Sequence, residues 1–485
     1  MLPFIWLRPL FSLLALFIFD QSKLVSAWER EPIGQNLIVL LIDGYGANLF
    51  NRTNAKIQHG AEILLQNGVQ AEYMKPVFQH RLAFLTFNSL ATGLYVENHN
   101  FSSDFMYNEE ADMLYQRDQG ANDTDPSWWN LNTAPLWYTV GKAHIDVHCY
   151  WFATCHRAFV DMVVTVPKDR RHSFKNENEA IDLFPHLPKI MKHIKKYQAY
   201  RQQLVLLRYD GLARALKMFG EETDPTIQAL SNADVHIRKI QEEIDNHDLF
   251  DSTNFVVLSD HGLMKIVEED QFYIEECLAD FSRIKKVVNS LAFTFIYPAE
   301  GEEDTVYFEL KVCDQWAPVG DYDEEKEVPL VSVYRKSEIP DKYHWKNSRH
   351  VGPILLVTRP GVILLTRQLP STDVSEGFGR DLKMIGGWDN DNNEMHSIFL
   401  ARGPAFKVNH KTGPIEIVDV YQLLLSILGV KSQPNNGTWT NVEEMLADDW
   451  EDRTDSGCAF QTHINFLVSS FIVACLLVLQ DRMHM

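Results

Sequence analysis

Three short, continuous apolar runs constrain the fold of this 485-residue chain more than any other feature. Leu37–Ile42, Leu204–Leu207 and Phe255–Leu258 contain no polar residue, which is typical of strands buried on both faces of a parallel sheet. Segments with apolar residues at helical spacing lie between them, and the clearest begins at Asp224-Pro225. Strands and helices that alternate in this way predict an α/β fold, with a doubly wound, mainly parallel sheet and helices on both of its faces.

The composition favours one large globular core and argues against two classes of protein. Hydrophobic residues make up 45% of the chain, as in ordinary globular domains and unlike disordered or fibrous chains. The formal net charge is −21, so the surface repels polyphosphate backbones and a nucleic-acid polymer is not an expected partner. No repeat or linker divides the middle of the chain, which predicts a single domain over residues 28–445.

The two ends of the chain have the composition of export and tethering signals. Residues 1–27 combine Arg8, a short apolar core and a small-residue end, which predicts a cleaved signal peptide. Residues 446–459 are predicted to be a juxtamembrane stretch, and residues 460–485 contain a second apolar run. This run fits either a single transmembrane helix with a short tail or a lipid-anchor signal. Both alternatives hold the domain at the outer cell surface.

Passage through the secretory pathway predicts two kinds of covalent modification. Four cysteines precede the C-terminal stretch and allow three pairings, of which we predict the two local ones, Cys149–Cys155 and Cys277–Cys313. Four Asn-x-Ser/Thr sequences without proline in the middle place are acceptors for N-glycosylation. The predicted glycosylation sites are Asn51, Asn100, Asn122 and Asn436.

Acidic residues follow the apolar runs at the points where the strands should end. Asp43 follows the first run, and Asp210 comes shortly after the second. Asp260 and His261 follow the third. Because ligands bind at the carboxyl ends of the strands in such sheets, these side chains are expected to converge. Carboxylate and imidazole groups suit zinc, so these four residues are the candidate metal ligands.

Longer motifs accompany these residues, among them Thr92-Gly93-Leu94-Tyr95, Ser259-Asp260-His261-Gly262 and Gly387-Trp388-Asp389-Asn390. Together they resemble the ectonucleotide pyrophosphatase/phosphodiesterase family of the alkaline-phosphatase-like superfamily, over about residues 36–442. The resemblance implies hydrolysis of phosphodiester or pyrophosphate bonds with two zinc ions and a threonine nucleophile. It also implies an inserted subdomain with substrate contacts after the Asp260-His261 strand, at about residues 265–370.

Compared with that family, the chain departs at the positions that carry the chemistry. Counting back from Thr92 places Ala83 at the nucleophile position, and Thr86 at the position of an asparagine that holds a phosphate oxygen. Arg214 and Gly386 stand where the resemblance implies histidine ligands of the second metal ion. Arginine cannot coordinate zinc, and alanine has no group with which to attack phosphorus. The first metal site thus keeps three ligands, whereas the second keeps only one.

These departures favour a catalytically impaired cell-surface glycoprotein that acts by binding an unknown protein or a small phosphate-containing ligand. The alternative is a zinc-dependent phosphodiesterase or pyrophosphatase that acts on extracellular nucleotides or phospholipid head groups with a remodelled site. Whether the chain is an enzyme therefore stays open at the level of sequence. We expect at most one zinc ion, held by Asp43, Asp260 and His261, and a chain without zinc is also compatible with the sequence.

Overall fold

The computed structural model describes residues 35–53, 57–78, 83–103, 105–116, 128, 133–152, 155, 181–267, 271–316, 329–367 and 382–450. The predicted signal peptide, the acceptor Asn122 and the C-terminal apolar run lie outside these residues. Within the described ranges, no helix is both long and apolar enough to cross a bilayer.

Strands and helices alternate along the described chain, as the apolar runs predict. The strands are β1 (Asn36–Ile42), β2 (Gly68–Ala71), β3 (Met74–Lys75), β4 (Phe105–Asn108), β5 (Met113–Gln116), β6 (Asp146–Tyr150), β7 (Gln203–Tyr209), β8 (Thr253–Leu258), β9 (Met264–Lys265), β10 (Gln271–Tyr273), β11 (Ile284–Asn289), β12 (Phe293–Pro298), β13 (Val331–Arg335), β14 (Ile354–Thr358), β15 (Ile363–Leu365), β16 (Met384–Ile385), β17 (Phe399–Arg402), β18 (His410–Thr412) and β19 (Ile415–Glu416). The helices are α1 (Ala47–Arg52), α2 (His59–Gln66), α3 (Ala83–Thr92), α4 (Val96–His99), α5 (Leu136–Lys142), α6 (Leu187–Tyr197), α7 (Gly211–Phe219), α8 (Asp224–Asn246), α9 (Glu303–Lys311) and α10 (Ile417–Ile427).

The central sheet contains seven of the described strands, in the order β18-β2-β17-β8-β1-β7-β6. Its neighbouring strands are parallel except for the two pairs that involve β17. The three apolar runs are β1, β7 and β8, which are buried along their whole length, and β1 lies between the other two. Their carboxyl ends therefore meet at the middle of one edge of the sheet, and the prediction of a doubly wound, mainly parallel sheet is confirmed.

Helices cover both faces of this sheet, and alternate residues of β1 point to opposite faces. Leu37, Val39 and Leu41 lie in one buried cluster, together with apolar residues of α3, α5 and α10. Residues 38, 40 and 42 lie in the other cluster, which includes apolar residues of α6, α7 and α8. Since Asp43 continues the alternation after Leu41, its side chain is expected on the face covered by α3.

An inserted subdomain follows β8 and contains the four-stranded antiparallel sheet β11-β12-β14-β13. It shares one apolar cluster with the central sheet. Trp345 of the insert is fully buried, and its ring meets those of Phe78 and Phe293 edge to face, at centroid distances of 5.5 and 5.1 Å. The insert thus packs directly onto the segment that leads into α3.

Both disulfides predicted from the sequence are present. Cys149–Cys155 links the end of β6 to the segment after it, and Cys277–Cys313 links two parts of the insert. The two predicted local disulfide pairings are therefore confirmed.

Candidate active site

Asp43, Asp260 and His261 meet at the carboxyl ends of β1 and β8, as predicted. One ligand atom of each residue lies within 4.8 Å of the others, and the three residues are at most 4% exposed. Register explains the convergence, because Leu41 pairs with Leu258 and the two strands end side by side. The group therefore forms a buried cluster of candidate metal ligands.

Backbone donors orient the Asp260 carboxylate. Its Oδ1 accepts hydrogen bonds from the N–H groups of Gly44 and His261, both at 3.1 Å. Gly44 can present its N–H in this way because it adopts a φ of 75°, a conformation that favours glycine. Burial, together with the charge of Asp43, raises the pKa of Asp260. Its other oxygen, Oδ2, lies 3.6 Å from His261 Nε2.

His261 is held in a single tautomer by its own neighbour in sequence. Its Nδ1 lies 2.8 Å from the carbonyl oxygen of Gly262, and a carbonyl only accepts, so Nδ1 carries the proton. The Nε2 atom faces Asp43 Oδ1 at 3.5 Å and Asp260 Oδ2 at 3.6 Å. A histidine that donates its second N–H to a backbone carbonyl is the usual arrangement behind a metal ligand.

The spacing of these atoms suits one zinc ion. Ligand atoms about 2.0–2.1 Å from a tetrahedral zinc ion are about 3.3–3.4 Å from each other. The two separations at His261 Nε2, 3.5 and 3.6 Å, are close to this edge length. Three protein ligands that leave a fourth position open form a zinc site of the catalytic type.

A further charged residue of the site, Arg208, was not singled out from the sequence. It lies on β7 opposite Leu41 of β1, is 7% exposed, and donates from Nη2 to Asp43 Oδ2 at 2.5 Å. Its guanidinium carbon lies 5.6 Å from the centre of the Phe87 ring on α3. Burial alone would lower the pKa of Arg208, but the charges of Asp43 and Asp210 raise it, so the side chain stays charged.

The two oxygens of the Asp43 carboxylate contact different neighbours. Oδ2 takes the hydrogen bond from Arg208, whereas Oδ1 faces His261. Burial alone would raise the pKa of Asp43, but the charges of Arg208 and Lys217 and the contact with His261 hold it well below its usual range. Asp43 is therefore ionised without a metal ion.

Asp210 does not join the cluster of candidate ligands. Its Oδ1 accepts a hydrogen bond from the N–H of Ile181 at 3.0 Å. Its Oδ2 lies 3.7 Å from Arg214 Nη1, one turn further along α7. Gly386 has no side chain and is buried next to β16. Among the described residues, the predicted second metal position is thus represented by one carboxylate, which is already paired with arginine.

The helix that should carry the nucleophile begins at Ala83. Three residues later, Thr86 is fully buried, and its hydroxyl has no hydrogen-bond partner among the described residues. The roles assigned to Ala83 and Thr86, and those of the lost ligand positions, stay predictions.

Ser89 on α3 and His99 on α4 form a buried pair, which has the residue types of a nucleophile and its base but not the required geometry. Ser89 Oγ lies 2.9 Å from His99 Nε2, and His99 Nδ1 accepts the N–H of Phe101 at 3.1 Å. Since Nδ1 accepts, the neutral ring carries its proton on Nε2 and donates it to Ser89. His99 cannot remove a proton from Ser89 in this state, so the pair has a structural role.

Three of the predicted glycosylation acceptors lie within the described residues. Asn51 and Asn436 are exposed, and Asn100 is half-buried. The side-chain oxygens of Asn100 and Asn436 accept backbone N–H groups of Arg349 and Tyr95, at 3.1 and 2.9 Å. Modification of these asparagines stays a prediction.

Comparisons with known proteins agree with this fold. The family described as type I phosphodiesterase / nucleotide pyrophosphatase matches residues 37–389. A bis(5'-adenosyl)-triphosphatase of Xenopus laevis is 26% identical over 416 residues, which cover 85% of this chain and 82% of that protein. The human bis(5'-adenosyl)-triphosphatase is 24% identical over 484 residues, which cover 97% of this chain and 95% of that protein.

A solved structure shares the fold. It is murine ectonucleotide pyrophosphatase/phosphodiesterase 5, an inactive threonine-to-alanine variant in complex with AMP. The TM-score is 0.72 at 22% sequence identity, and the superposition covers 85% of this chain and all of that one. At this identity the likeness shows a common fold.

Proposed function

Since the chain belongs to the type I phosphodiesterase / nucleotide pyrophosphatase family, we propose that it binds a small phosphate-containing ligand without cleaving it. The observation that carries this proposal is the pairing of Asp43 with Arg208 and of Asp210 with Arg214. Arginine supplies positive charge but cannot coordinate a metal ion. The guanidinium groups of such a site can donate hydrogen bonds to a phosphate group, while the site lacks the second metal ion of the family's mechanism.

The loss of chemistry follows from two missing groups. When bound, zinc ions polarise the phosphoryl group and lower the pKa of the attacking alcohol. Within the part of the chain that the structure describes, the residues that fit zinc are those of one ion, and the predicted nucleophile position is Ala83. Loss of a nucleophile alone commonly lowers kcat by several powers of ten. We therefore expect hydrolysis to be near the rate of the uncatalysed reaction.

Ligand binding, in contrast, does not need the nucleophile. The related murine protein is described as inactive after a threonine-to-alanine change and was nevertheless solved in complex with AMP. This precedent supports a nucleoside monophosphate as the class of ligand, with a phospholipid head group as the other candidate. The guanidinium groups of Arg208 and Arg214 would meet its phosphate through charge-assisted hydrogen bonds. A mouse relative, 24% identical over 420 residues, is named as an ectonucleotide pyrophosphatase/phosphodiesterase, which supports an extracellular location for this chain. The proposal of a membrane tether depends on the C-terminal apolar run of the sequence.

Calorimetry with the purified full-length chain tests the proposal. We expect heat of binding with AMP, weaker binding in Arg214→Gln, and unchanged binding in Arg402→Gln. Arg402 is a suitable control because it is also a buried arginine of the sheet, and it pairs with Phe255 at the opposite end of β8. Hydrolysis of bis-p-nitrophenyl phosphate should stay at background. Zinc-dependent turnover that Asp260→Ala abolishes would contradict the proposal.

A one-metal hydrolase is the second candidate function. It is favoured by the tetrahedral spacing at His261 Nε2 and by the open fourth position, where one zinc ion would activate water directly. This candidate requires one tightly bound zinc ion per chain in elemental analysis, and turnover that a chelator removes. A chain that contains zinc but does not turn over substrate would exclude it.

A further inference from the structure

Arg208 is placed where it competes with a metal ion for Asp43. Its guanidinium donates to one oxygen of the carboxylate, and the other oxygen faces His261 Nε2. The Asp43 carboxylate would therefore have to bind the Arg208 guanidinium and a zinc ion at the same time. A carboxylate bonded to a guanidinium is a weaker electron donor to a metal ion than one bonded to a neutral N–H group.

The charge of the surroundings adds to this effect. Among the described residues, the acidic groups that act electrostatically on Arg208 include Asp43, Asp210 and Asp260. Positive charges oppose them, since Arg214 pairs with Asp210 and Lys217 acts on Asp43. Arg214 and Lys217 lie one turn apart on α7. A divalent cation that reaches this site thus meets carboxylates that are already largely neutralised.

Each of the three candidate ligand side chains also has a hydrogen-bond partner within the protein. Backbone N–H groups hold Asp260, Arg208 holds Asp43, and a carbonyl holds the His261 ring. Buried carboxylates that have no cation between them repel one another. Here arginine supplies the opposing charge.

We propose that Arg208 is a built-in counter-ion that takes the place of a metal charge and weakens zinc binding at Asp43, Asp260 and His261. The site is therefore stable without zinc, and it binds zinc less tightly than its three ligands would allow by themselves. This inference does not depend on the proposed phosphate-containing ligand, because metal affinity and AMP binding are measured separately and either can fail alone.

Zinc titration of the full-length chain against a chromogenic chelator tests this role. Arg208→Gln keeps a donor for Asp43 but removes the charge, and we expect it to bind zinc about 10- to 100-fold more tightly than the natural chain. Arg402→Gln is the matched control, because it removes a buried arginine at the opposite end of β8 and should leave zinc affinity unchanged. Adding Asp260→Asn to Arg208→Gln should abolish the gain.

Thermal unfolding with and without zinc gives a second readout. Zinc should raise the Tm of Arg208→Gln more than that of the natural chain, because tighter binding to the folded state stabilises it further. If Arg208→Gln does not fold, Lys217→Gln removes another nearby positive charge from the end of α7 and should tighten zinc binding by a smaller factor. Unchanged or weaker zinc binding in the folded variant that is tested would overturn the inference.

Discussion

The buried His99 side chain makes the stability of the fold sensitive to acid. It is 4% exposed, and burial lowers its pKa to about 3. In the neutral form, Nδ1 accepts the N–H of Phe101 and Nε2 lies against Ser89 Oγ. Protonation of Nδ1 would remove the first of these hydrogen bonds and leave a buried charge. The folded chain therefore resists protonation, whereas the unfolded chain does not.

The sign and size of the effect follow from proton linkage. A histidine in the unfolded chain has a pKa of about 6.5, so between pH 6.5 and pH 3 the unfolded state binds more protons than the folded state. The stabilisation is complete above pH 6.5 and is lost as the pH falls. Between pH 7.5 and pH 5 the loss from this one group is about 2 kcal/mol, and it approaches about 5 kcal/mol below pH 3.

Urea denaturation followed by tryptophan fluorescence, at several values between pH 7.5 and pH 5, measures this loss. The variant His99→Gln keeps a donor toward Ser89 but has no group that titrates in this range. We expect the difference in unfolding free energy between the natural chain and the variant to shrink by about 2 kcal/mol as the pH falls to 5. The control His59→Gln alters a side chain that is 67% exposed and should show no such change. A difference for His99→Gln that stays constant with pH would refute the reasoning.

Three further predictions concern the site and the insert. Gly262→Ala should destabilise the fold by about 2 kcal/mol or more in urea denaturation, because a Cβ there would lie 1.9 Å from the carbonyl oxygen of Glu394. The control Gly413→Ala places its Cβ in open space and should cost less than about 0.5 kcal/mol. Ala83→Thr alone should leave the hydrolysis of bis-p-nitrophenyl phosphate at background, since the aspartates remain paired with arginine, and zinc-dependent turnover would contradict this. Replacing the pair Cys277–Cys313 by serines should lower stability by about 4 kcal/mol, as expected for a bridge that spans 36 residues, and an unchanged urea midpoint would argue against it.

The architecture and half of the site could be predicted from the sequence because they depend on simple periodicities. A strand buried on both faces needs an unbroken apolar run, and a parallel sheet brings the ends of such runs to one edge. Asp43 follows the first of these runs immediately, and Asp260 and His261 follow another of them after one intervening residue, so their convergence follows from strand order alone. The local disulfides likewise lie where the sequence predicts them, whereas the insert was expected from the family resemblance.

The sequence pattern does not reveal Arg208, because a charged residue after an apolar run usually marks the end of a buried strand. The apolar run stops at Leu207, whereas β7 continues to Tyr209 and carries the arginine into the interior. The signal that would have found it is the alternation of the strand, which places Arg208 on the same face as Leu204 and Leu206. A buried arginine needs an acidic partner, and Asp43 on the neighbouring strand is the nearest one. The pairing itself depends on sheet register, which a single sequence does not specify.

The packing of the insert has a consequence for how this protein can change. Trp345 lies against Phe78, which comes five residues before the helix at the site, and Phe293 of the insert packs on the same Trp345 ring. A buried aromatic side chain removes about 150–250 Å² of its surface from water. Deletion of the insert would therefore expose several buried aromatic side chains at once. The insert is therefore not an exchangeable module, and the two sheets should unfold in a single cooperative transition. The strands of the insert are tied to the core that holds the site.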